Sequence, residues 1–471
     1  MAEIEEAPPQ PVEDFDRLYG LTEDVVAGVR RVLDEASGDE IVPLSDLPPE
    51  VADLHPADMA DLLEQLNDAQ RKELIRSLGA QFDPEALSYL DESVRLALLD
   101  EIDNVSVAQL VSALETDDAL QVIETLDEED QREVLDAIPA EERLLYEQSL
   151  AYPEYTAGRL MRREVVAAPE FWTVGKMIDF MRDAEADVLP DDFYTIIVVG
   201  AALKPVGKVY LSHLLRARRN VPLAEIMTED MKTIPATMDQ EDVAFLFRQY
   251  GLVEAPVVDE EGRLVGAITV DDVVDVIDEE AEDDILKMGG VSEDDFYDDV
   301  VSTTRMRFSW LAVNLVTAIA ASLVIGLFEA SITKVAALAV LMPIVASMGG
   351  NAGTQTLTVA VRALATNELT TGNALRIVSK ETLVGSVNGI LFAILMGLIA
   401  WGWFEDPLLG STIAIAMVVN LVVAGLAGVV IPVLLDRWGL DPAVASSVIL
   451  TTVTDVVGFF VFLGLATLVL F

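Results

Sequence analysis

One carboxylate in this sequence stands where a charge is costly. Asp455 is the only charged residue between Pro442 and Phe471. At a rise of ~1.5 Å per residue, a helix that begins near Ala443 carries Asp455 ~18 Å along its length, close to the middle of a bilayer. No basic residue lies at a comparable depth to pair with it. A carboxylate at that depth marks an ion pathway or a buried ion pair.

Two hydroxyl residues share a helix face with this carboxylate. Thr451 and Ser447 precede Asp455 by four and eight residues, so all three side chains form one polar stripe. The chain has no cysteine, and its histidines, His55 and His213, lie outside the apolar segments. The membrane ligands are therefore oxygens, apart from methionine thioethers such as that of Met348, and oxygens favour a hard cation. One carboxylate with carbonyls and amides suits Mg²⁺, which keeps several waters, better than Ca²⁺.

Five long apolar segments indicate a multi-pass membrane domain. Each exceeds the ~20 residues needed to cross the hydrocarbon. They are Ser309–Phe328, Val335–Val361, Thr382–Phe404, Leu408–Leu435 and Pro442–Phe471. With a cytoplasmic N-terminal half, six basic residues fall inside and only Lys334 falls outside, which satisfies the positive-inside rule. No basic n-region with an apolar stretch opens the chain, so we expect the N-terminal half in the cytoplasm and the C terminus outside.

The second apolar segment contains a proline and a cluster of glycines. Pro343 is followed by Gly349, Gly350 and Asn351. Such residues predict an interrupted helix whose irregular backbone lines a wet cavity, with exposed carbonyls as ion ligands. The alternative is a continuous helix that uses small residues for close packing.

The two halves of the chain differ sharply in charge. From Val301 onward there are seven basic and eight acidic residues, which leaves 23 basic and 73 acidic residues, or −50, before it. Such a field repels nucleic acid and concentrates cations, so we expect no nucleic-acid partner. Salt adaptation or solubilisation of the surface is a second explanation for part of this charge.

A twelve-residue repeat organises the first part of the acidic half. Its apolar positions are Leu54, Leu66, Leu78, Leu90, Ile102, Leu114, Leu126, Ile138 and Leu150. A unit of this length is one short helix and a turn, which must stack on its neighbours to bury its apolar face. The repeat predicts an all-α superhelix, in which we expect His55 to serve as a local turn or cap.

From about Tyr152 the pattern changes to two mixed units. Thr195–Val199 and Pro256–Val258 are β-branched runs, and Gly251–Asp272 resembles the second half of a CBS module: strand, hairpin, strand and helix. CBS modules often bind adenine nucleotides, so the resemblance implies an ATP site at Thr269 and Asp272. The alternative is a purely structural dimer module.

An acidic helix is predicted to join this module to the membrane. Asp271–Met288 has an apolar stripe of Val274, Ile277, Ala281, Ile285 and Met288. Acids crowd its remaining surface, and those near its C-terminal end oppose the helix dipole. Without counter-cations this helix repels itself and any second copy.

Taken with these features, the motif Gly349-Gly350-Asn351-x-Gly-x-Gln resembles the membrane domain of MgtE magnesium channels. Gly439-Leu440-Asp441-Pro442-Ala443 and Thr454-Asp455 extend the likeness, as does the cytoplasmic half. The resemblance implies a homodimer with Asp455 as the pore's Mg²⁺ ligand. It also implies that the acidic helix is a plug, and that Mg²⁺ bound to this plug helix keeps the pore closed. Its implied sensing acids are Asp239, Glu241, Asp272, Asp275, Glu280, Asp283 and Asp284. Ser447-Val448 replaces an Asn-Pro found in family members, which affects the outer pore geometry.

The predicted fold is therefore multi-domain, with an α-helical membrane part. The predicted segments are a disordered terminus (1–20), a helical superhelix (21–150), two CBS modules (151–220 and 221–277), a plug helix (278–303) and a five-helix membrane domain (304–471). We expect a homodimer in the lipid of the cytoplasmic membrane that conducts Mg²⁺ inward, is closed by internal Mg²⁺, and is not an enzyme. A proton-coupled carrier of divalent cations and a membrane-anchored nucleotide sensor are the alternatives.

Overall fold

The structure is a computed structural model that describes residues 21–35, 41–184, 189–190, 193–291, 300–370 and 372–470. The predicted disordered terminus, 1–20, lies outside the described residues. The chain forms two units, Met1–Val276 and Ile277–Phe471, and each is described by itself below.

The first unit begins with a stack of short helices. They are α1 (Glu23–Glu35), α2 (Pro56–Glu64), α3 (Asp68–Leu78), α4 (Glu92–Leu99), α5 (Asn104–Val111), α6 (Thr116–Thr125), α7 (Glu128–Ala137) and α8 (Ala140–Leu150). From α2 onward their first residues are twelve residues apart, except between α3 and α4, where two 3₁₀ turns, Gly79–Gln81 and Pro84–Leu87, replace an α-helix. The repeat apolar residues lie in or against one continuous core. The predicted superhelix is confirmed.

Side-chain caps fix the start of most of these helices. Asn67, Asp91, Asp103 and Asp127 each accept a hydrogen bond from a backbone N–H in the first turn of the helix that follows. His55 does the same for α2, because its Nδ1 accepts from the Ala57 N–H at 3.2 Å. The predicted capping role of His55 is confirmed.

Two small sheets follow, with the same topology. Their elements are α9 (Ala157–Leu160), β1 (Ala167–Pro169), α10 (Val174–Asp183), β2 (Thr195–Val199), β3 (Pro205–Tyr210), α11 (Leu211–Arg216), α12 (Leu223–Ile226), β4 (Ile234–Pro235), α13 (Gln240–Tyr250), β5 (Glu254–Val258) and β6 (Leu264–Thr269). In each sheet the first strand is parallel to the second, which is antiparallel to the third. The predicted CBS pair is confirmed.

The two sheets exchange the segments that precede them. Ala157 and Met161 lie in the core of the β4–β6 sheet, whereas Leu223 lies in the core of the β1–β3 sheet. Gly207 and Gly266 occupy equivalent places, since a Cβ at either would lie within 3.0 Å of a methionine sulfur of the exchanged segment. The exchange ties the two modules to each other.

Helix α14 (Val270–Gly289) agrees with the predicted joining helix, and its predicted apolar stripe is distinct from its buried residues. Val273 and Val276 are its buried residues, because its first turns complete the β4–β6 core. Val274 and Ile285 of the predicted stripe are exposed, at 57% and 71%.

The second unit contains five helices long and apolar enough to cross a membrane, as predicted. They are α15 (Val300–Gly326), α17 (Ala337–Ala365), α18 (Ala374–Phe404), α19 (Pro407–Arg437) and α20 (Pro442–Leu470), with a short α16 (Glu329–Lys334) after the first. Asp406 accepts from the Leu408 N–H at 2.8 Å and caps α19.

The predicted interruption of the second span is wrong. Helix α17 runs through Pro343 and the glycines without a break. Gly349 and Gly353 are instead close-packing positions, because a Cβ there would lie 2.2 Å from Asn420 Nδ2 and 3.0 Å from the Leu450 side chain, respectively. The small-residue packing alternative is therefore the one found, and the helix survives because neighbouring helices pack against it.

Candidate functional site

The polar stripe of α20 lies partly open on the single chain. Thr451 is exposed, whereas Ser447 and Asp455 are half-buried. The Thr451 hydroxyl donates to the Ser447 carbonyl at 2.9 Å, within the helix. Throughout the described part of the chain, no ion pair or hydrogen bond engages the Asp455 carboxylate. A carboxylate near the middle of a 29-residue apolar helix is thus left available to an external ligand.

The predicted ligands on α17 differ in exposure. Gly349 is buried, Gly350 is half-buried and Asn351 is exposed. Their helical backbone does not present the free carbonyls that an interrupted helix would offer. Of the three, Asn351 has the side-chain oxygen that suits a hydrated cation.

Two buried polar residues of the membrane unit were missed from the sequence. Asn420 on α19 is fully buried, and its Nδ2 donates to the Val345 carbonyl on α17 at 2.8 Å. Glu381 on α18 is 8% exposed and accepts from the Thr356 hydroxyl at 3.4 Å, while Lys380 lies 3.2 Å from its other oxygen. A single Asn in an apolar run gives a weak signal, and Glu381 stands beside Lys380 at a span edge, where charge is ordinary.

The C-terminal end of α14 contacts the start of α20. Lys287 Nζ lies 3.0 Å from an Asp441 oxygen and also pairs with Asp283. Burial and repulsion from Asp441 raise the pKa of the neighbouring Asp284 carboxyl to about 6. Although burial lowers the pKa of Lys287, its hydrogen bonds with Asp283 and Asp441 hold that pKa above the usual value. We call Asp283, Asp284, Lys287 and Asp441 the Lys287 cluster.

Apolar packing supports the same contact. Met288 lies against a core formed by Leu357 and Val361 of α17, Ala427 of α19, and Ala443 and Leu450 of α20. The end of α14 is therefore seated on three membrane helices by one methionine and one lysine. Asp283 and Asp284 are predicted sensing residues, whereas Asp441 and Lys287 were not assigned this role from the sequence.

The first turn of α14 lies in a second acidic cluster, within the first unit. Arg162 is 6% exposed, binds Glu115 at 2.7 Å and donates to the Thr269 hydroxyl at 2.5 Å. Burial raises the pKa of Asp117, Asp118 and Asp272, and repulsion from Asp272 contributes at the first two. The pKa of Asp118 reaches about 7. We call Glu115, Asp117, Asp118, Asp271 and Asp272 with Arg162 the Arg162 cluster.

The other predicted sensing acids have separate surroundings. Asp239 caps α13 by accepting from the Glu241 N–H at 3.0 Å. Asp275 is exposed and Glu280 half-buried on α14. In the described ranges, no three or more Asp, Glu or His side chains converge closely enough to hold a metal ion by themselves.

The predicted nucleotide contacts are engaged inside the protein. One Asp272 oxygen accepts from both the Thr269 N–H at 3.2 Å and the Thr269 hydroxyl at 2.6 Å. The open cleft of the CBS pair, a cavity of about 480 Å³, lies elsewhere. Its lining includes Tyr194, Lys208, Tyr210, Lys232 and Tyr250. Lys208 is only 7% exposed, with its Nζ 5.2 Å from the centre of the Tyr210 ring.

Comparison with known proteins places these features in one family. The family model described as divalent cation transporter matches residues 342–465, the MgtE intracellular N domain matches 54–155, and the CBS domain matches 223–279. A solved structure described as the cytosolic domain of the Mg²⁺ channel MgtE in complex with ATP is 30% identical. It covers 53% of this chain and 99% of that one, with a TM-score of 0.48.

Two curated relatives carry the same name. The magnesium transporter MgtE of Bacillus subtilis is 28% identical over 418 residues, which cover 88% of this chain and 92% of the relative. That of Thermus thermophilus is 37% identical over 323 residues, which cover 68% of this chain and 71% of the relative. These relatives are transporters and not enzymes. The chain therefore belongs to the MgtE family of magnesium transporters.

Proposed function

We propose that the chain is a homodimeric channel that admits Mg²⁺ across the cytoplasmic membrane. The observation that carries the proposal is the Asp455 carboxylate, half-buried at the middle of an apolar helix with no ion pair in the described chain. A charge there is stable only if it faces water or a cation. Ser447 and Thr451 extend the ion's path along α20, and Asn351 of α17 is the proposed amide ligand.

Surfaces that one chain leaves uncovered support the proposed homodimer. Thr451 is exposed although it belongs to the proposed ion path. On α14, Val274, Ile277 and Ile285 are exposed apolar residues on a helix crowded with acids. A second copy would close the path between two α20 helices and would cover this row. We place the C terminus on the outer side, with lipid around the spans.

Closure by internal Mg²⁺ is the second part of the proposal. The end of α14 is seated on the start of α20 through Lys287 and Met288, so movement of this end would open or block the inner mouth. Asp283, Asp284 and Glu280 would bind Mg²⁺ in the seated state, and Asp239, Glu241, Asp272 and Asp275 would add to sensing. Because the ion binds this state more tightly, a rise in internal Mg²⁺ favours closure.

Single-channel recording from the full-length protein in planar bilayers tests the function. Currents that follow voltage, persist without a proton gradient and fall as Mg²⁺ is raised on the cytoplasmic side would support the proposal. Uptake that stops when the proton gradient is collapsed would instead support a coupled carrier of divalent cations.

ATP binding at the CBS pair is a further proposal, supported by the open cleft. Lys208 is a buried cation without a carboxylate partner in the described residues, and the tyrosines of the lining offer stacking surfaces for a base. Titration of the full-length protein with ATP tests it. Loss of ATP binding in Lys208→Met but not in Thr269→Ala would place the ATP site in the cleft. The reverse result would place it at the predicted Thr269 and Asp272.

A further inference from the structure

Asn420 differs from most polar side chains of the membrane helices in what it binds. Ser386, Thr412 and Thr452, for example, donate to carbonyls of their own helix four residues earlier. The Asn420 amide instead crosses from α19 to α17, where its Nδ2 donates to the Val345 carbonyl at 2.8 Å. Val345 lies one helical turn before Gly349, the first residue of the Gly349-Gly350-Asn351 motif.

Two glycines make the space for this amide. A Cβ at Gly349 of α17 would lie 2.2 Å from Asn420 Nδ2, and a Cβ at Gly458 of α20 would lie 2.9 Å from the same atom. Heavy atoms do not approach so closely, so any side chain at either glycine would displace the amide or its helix. Gly458 lies three residues after Asp455. Asn420 therefore contacts both helices of the proposed ion path.

Retaining an amide in this slot has an energetic cost. Asn420 is fully buried, and among the described residues its Oδ1 has no hydrogen-bond partner. A leucine of similar size would leave no orphan acceptor in the apolar core. In the described part of the chain, the bond to Val345 is the polar interaction that offsets this cost.

We propose that Asn420 is a positioning residue for ion selection. It holds α17 at a fixed distance from α20, so that Asn351 and the stripe of Thr451 and Asp455 keep the spacing that suits a small hydrated cation. This inference rests on the proposed ion path but does not require that the path be a channel. If the spacing between α17 and α20 is lost, the path should select less strongly against Ca²⁺, which is larger and more flexibly coordinated than Mg²⁺.

Uptake of Mg²⁺ and Ca²⁺ into vesicles that contain the full-length protein tests the inference. Asn420→Leu keeps the volume and removes the cross-helix bond. Its matched control is Asn314→Leu, because Asn314 Nδ2 donates to the Trp310 carbonyl of its own helix at 3.0 Å. We expect the Mg²⁺ to Ca²⁺ uptake ratio to fall about fivefold or more in Asn420→Leu and to stay within about twofold in Asn314→Leu. A wild-type ratio in Asn420→Leu would overturn the proposal.

A double-variant cycle keeps the proposal testable if Asn420→Leu does not fold. Gly349→Ala should lower Mg²⁺ uptake by about tenfold in the otherwise wild-type protein. In the Asn420→Ala background the same change should lower uptake by less than about twofold, because the new Cβ no longer clashes with the Asn420 amide. Gly402→Ala is the control, since a Cβ there meets nothing within 4 Å. Equal costs of Gly349→Ala in both backgrounds would overturn the proposal.

Uptake distinguishes this inference from the channel proposal. If the protein is a carrier, no voltage-driven current will be seen, but the expected Mg²⁺ to Ca²⁺ uptake ratios and the expected double-variant cycle are unchanged. Normal Mg²⁺ uptake by Asp455→Ala would instead contradict the proposed ion path, and with it this inference.

Discussion

The cytoplasmic and membrane parts of the chain use carboxylates in opposite ways. Before Val301 there are 73 acidic residues against 23 basic ones, and after it there are eight against seven. In the first part the acids crowd together and share few cations. In the membrane part, the Asp455 carboxylate stands apart from every described cation. The same functional group is therefore clustered in the first part and, at Asp455, isolated in the second.

The two acidic clusters differ in a similar manner. In the Arg162 cluster five carboxylates face one guanidinium, and burial raises the pKa of Asp117, Asp118 and Asp272. In the Lys287 cluster one ammonium serves three carboxylates and bonds directly to two of them. The Arg162 cluster therefore has the larger excess of negative charge. In the Lys287 cluster the acidic and basic groups are closer to neutral without any added ion.

The strongest test of this comparison removes the isolated charge. Asp455→Ala should lower Mg²⁺ uptake by about 100-fold or more, because a carboxylate in a low-dielectric region provides most of the local field that attracts the ion. Asp455→Asn should act similarly, although it keeps the shape. Elution of both variants at the wild-type volume is the control for folding. Uptake at the wild-type rate by the alanine variant would mean that Asp455 is not on the ion path.

Neutralising several acids of the plug helix together should have the next largest effect. The variant Glu280→Gln, Asp283→Asn, Asp284→Asn loses affinity for Mg²⁺ in the closed state, so the ion distinguishes less between the two states. We expect the internal Mg²⁺ concentration that halves open probability to rise by about tenfold. The measurement is single-channel open probability against internal Mg²⁺. Superimposable curves for the variant and the wild type would show that these acids are only a solvated face.

A smaller effect is expected from the resident cation of the Lys287 cluster. Lys287→Met leaves Asp283 and Asp441 without their ammonium partner, which destabilises the seated state when Mg²⁺ is scarce. Open probability at low internal Mg²⁺ should rise about two- to fivefold, and Lys287→Arg should remain nearer to wild type. Should Lys287→Met match the wild type at low Mg²⁺, the contact with Asp441 would have no part in closure.

The smallest expected effect is a pH dependence of stability at the Arg162 cluster. The pKa of the Asp118 carboxyl is about 7 in the folded chain against an ordinary value of 3.8, so between these values the folded state binds more protons than the unfolded state. Stability should therefore fall as pH rises from about 4 to about 7. With divalent ions chelated, we expect the unfolding temperature of the cytoplasmic part, within the full-length protein, to fall by about 2–4 °C across this range.

Asp118→Asn is the matched variant for this measurement, because it has no titrating group at that position. Its unfolding temperature should depend less on pH over the same range. A slope equal to that of the wild type would assign the pH dependence to other groups of the cluster.

The sequence alone determined the repeated helices of the superhelix and the membrane spans, whose minimum length is set by the bilayer. Twelve-residue spacing predicts the superhelix because each short helix can bury its apolar face only against the next one. Five apolar segments predict five spans because the bilayer imposes a length and excludes charge. Asp455 was identified for the same reason, since its depth in the bilayer follows from its position along the apolar segment. Their roles in transport stay predictions until the variants above are measured.

Tertiary structure decided which residues meet across helices and modules. The glycines of α17 have two possible uses, and only the position of Asn420 on α19 shows that Gly349 serves close packing. The sequence did not indicate that Val273 and Val276 of α14 are buried, because they complete a sheet core that helical periodicity alone does not describe. Lys287 and Asp441 are 154 positions apart, so no local pattern links them. Their contact depends on how α14 and α20 fold together, because side-chain partners are set by three-dimensional distance.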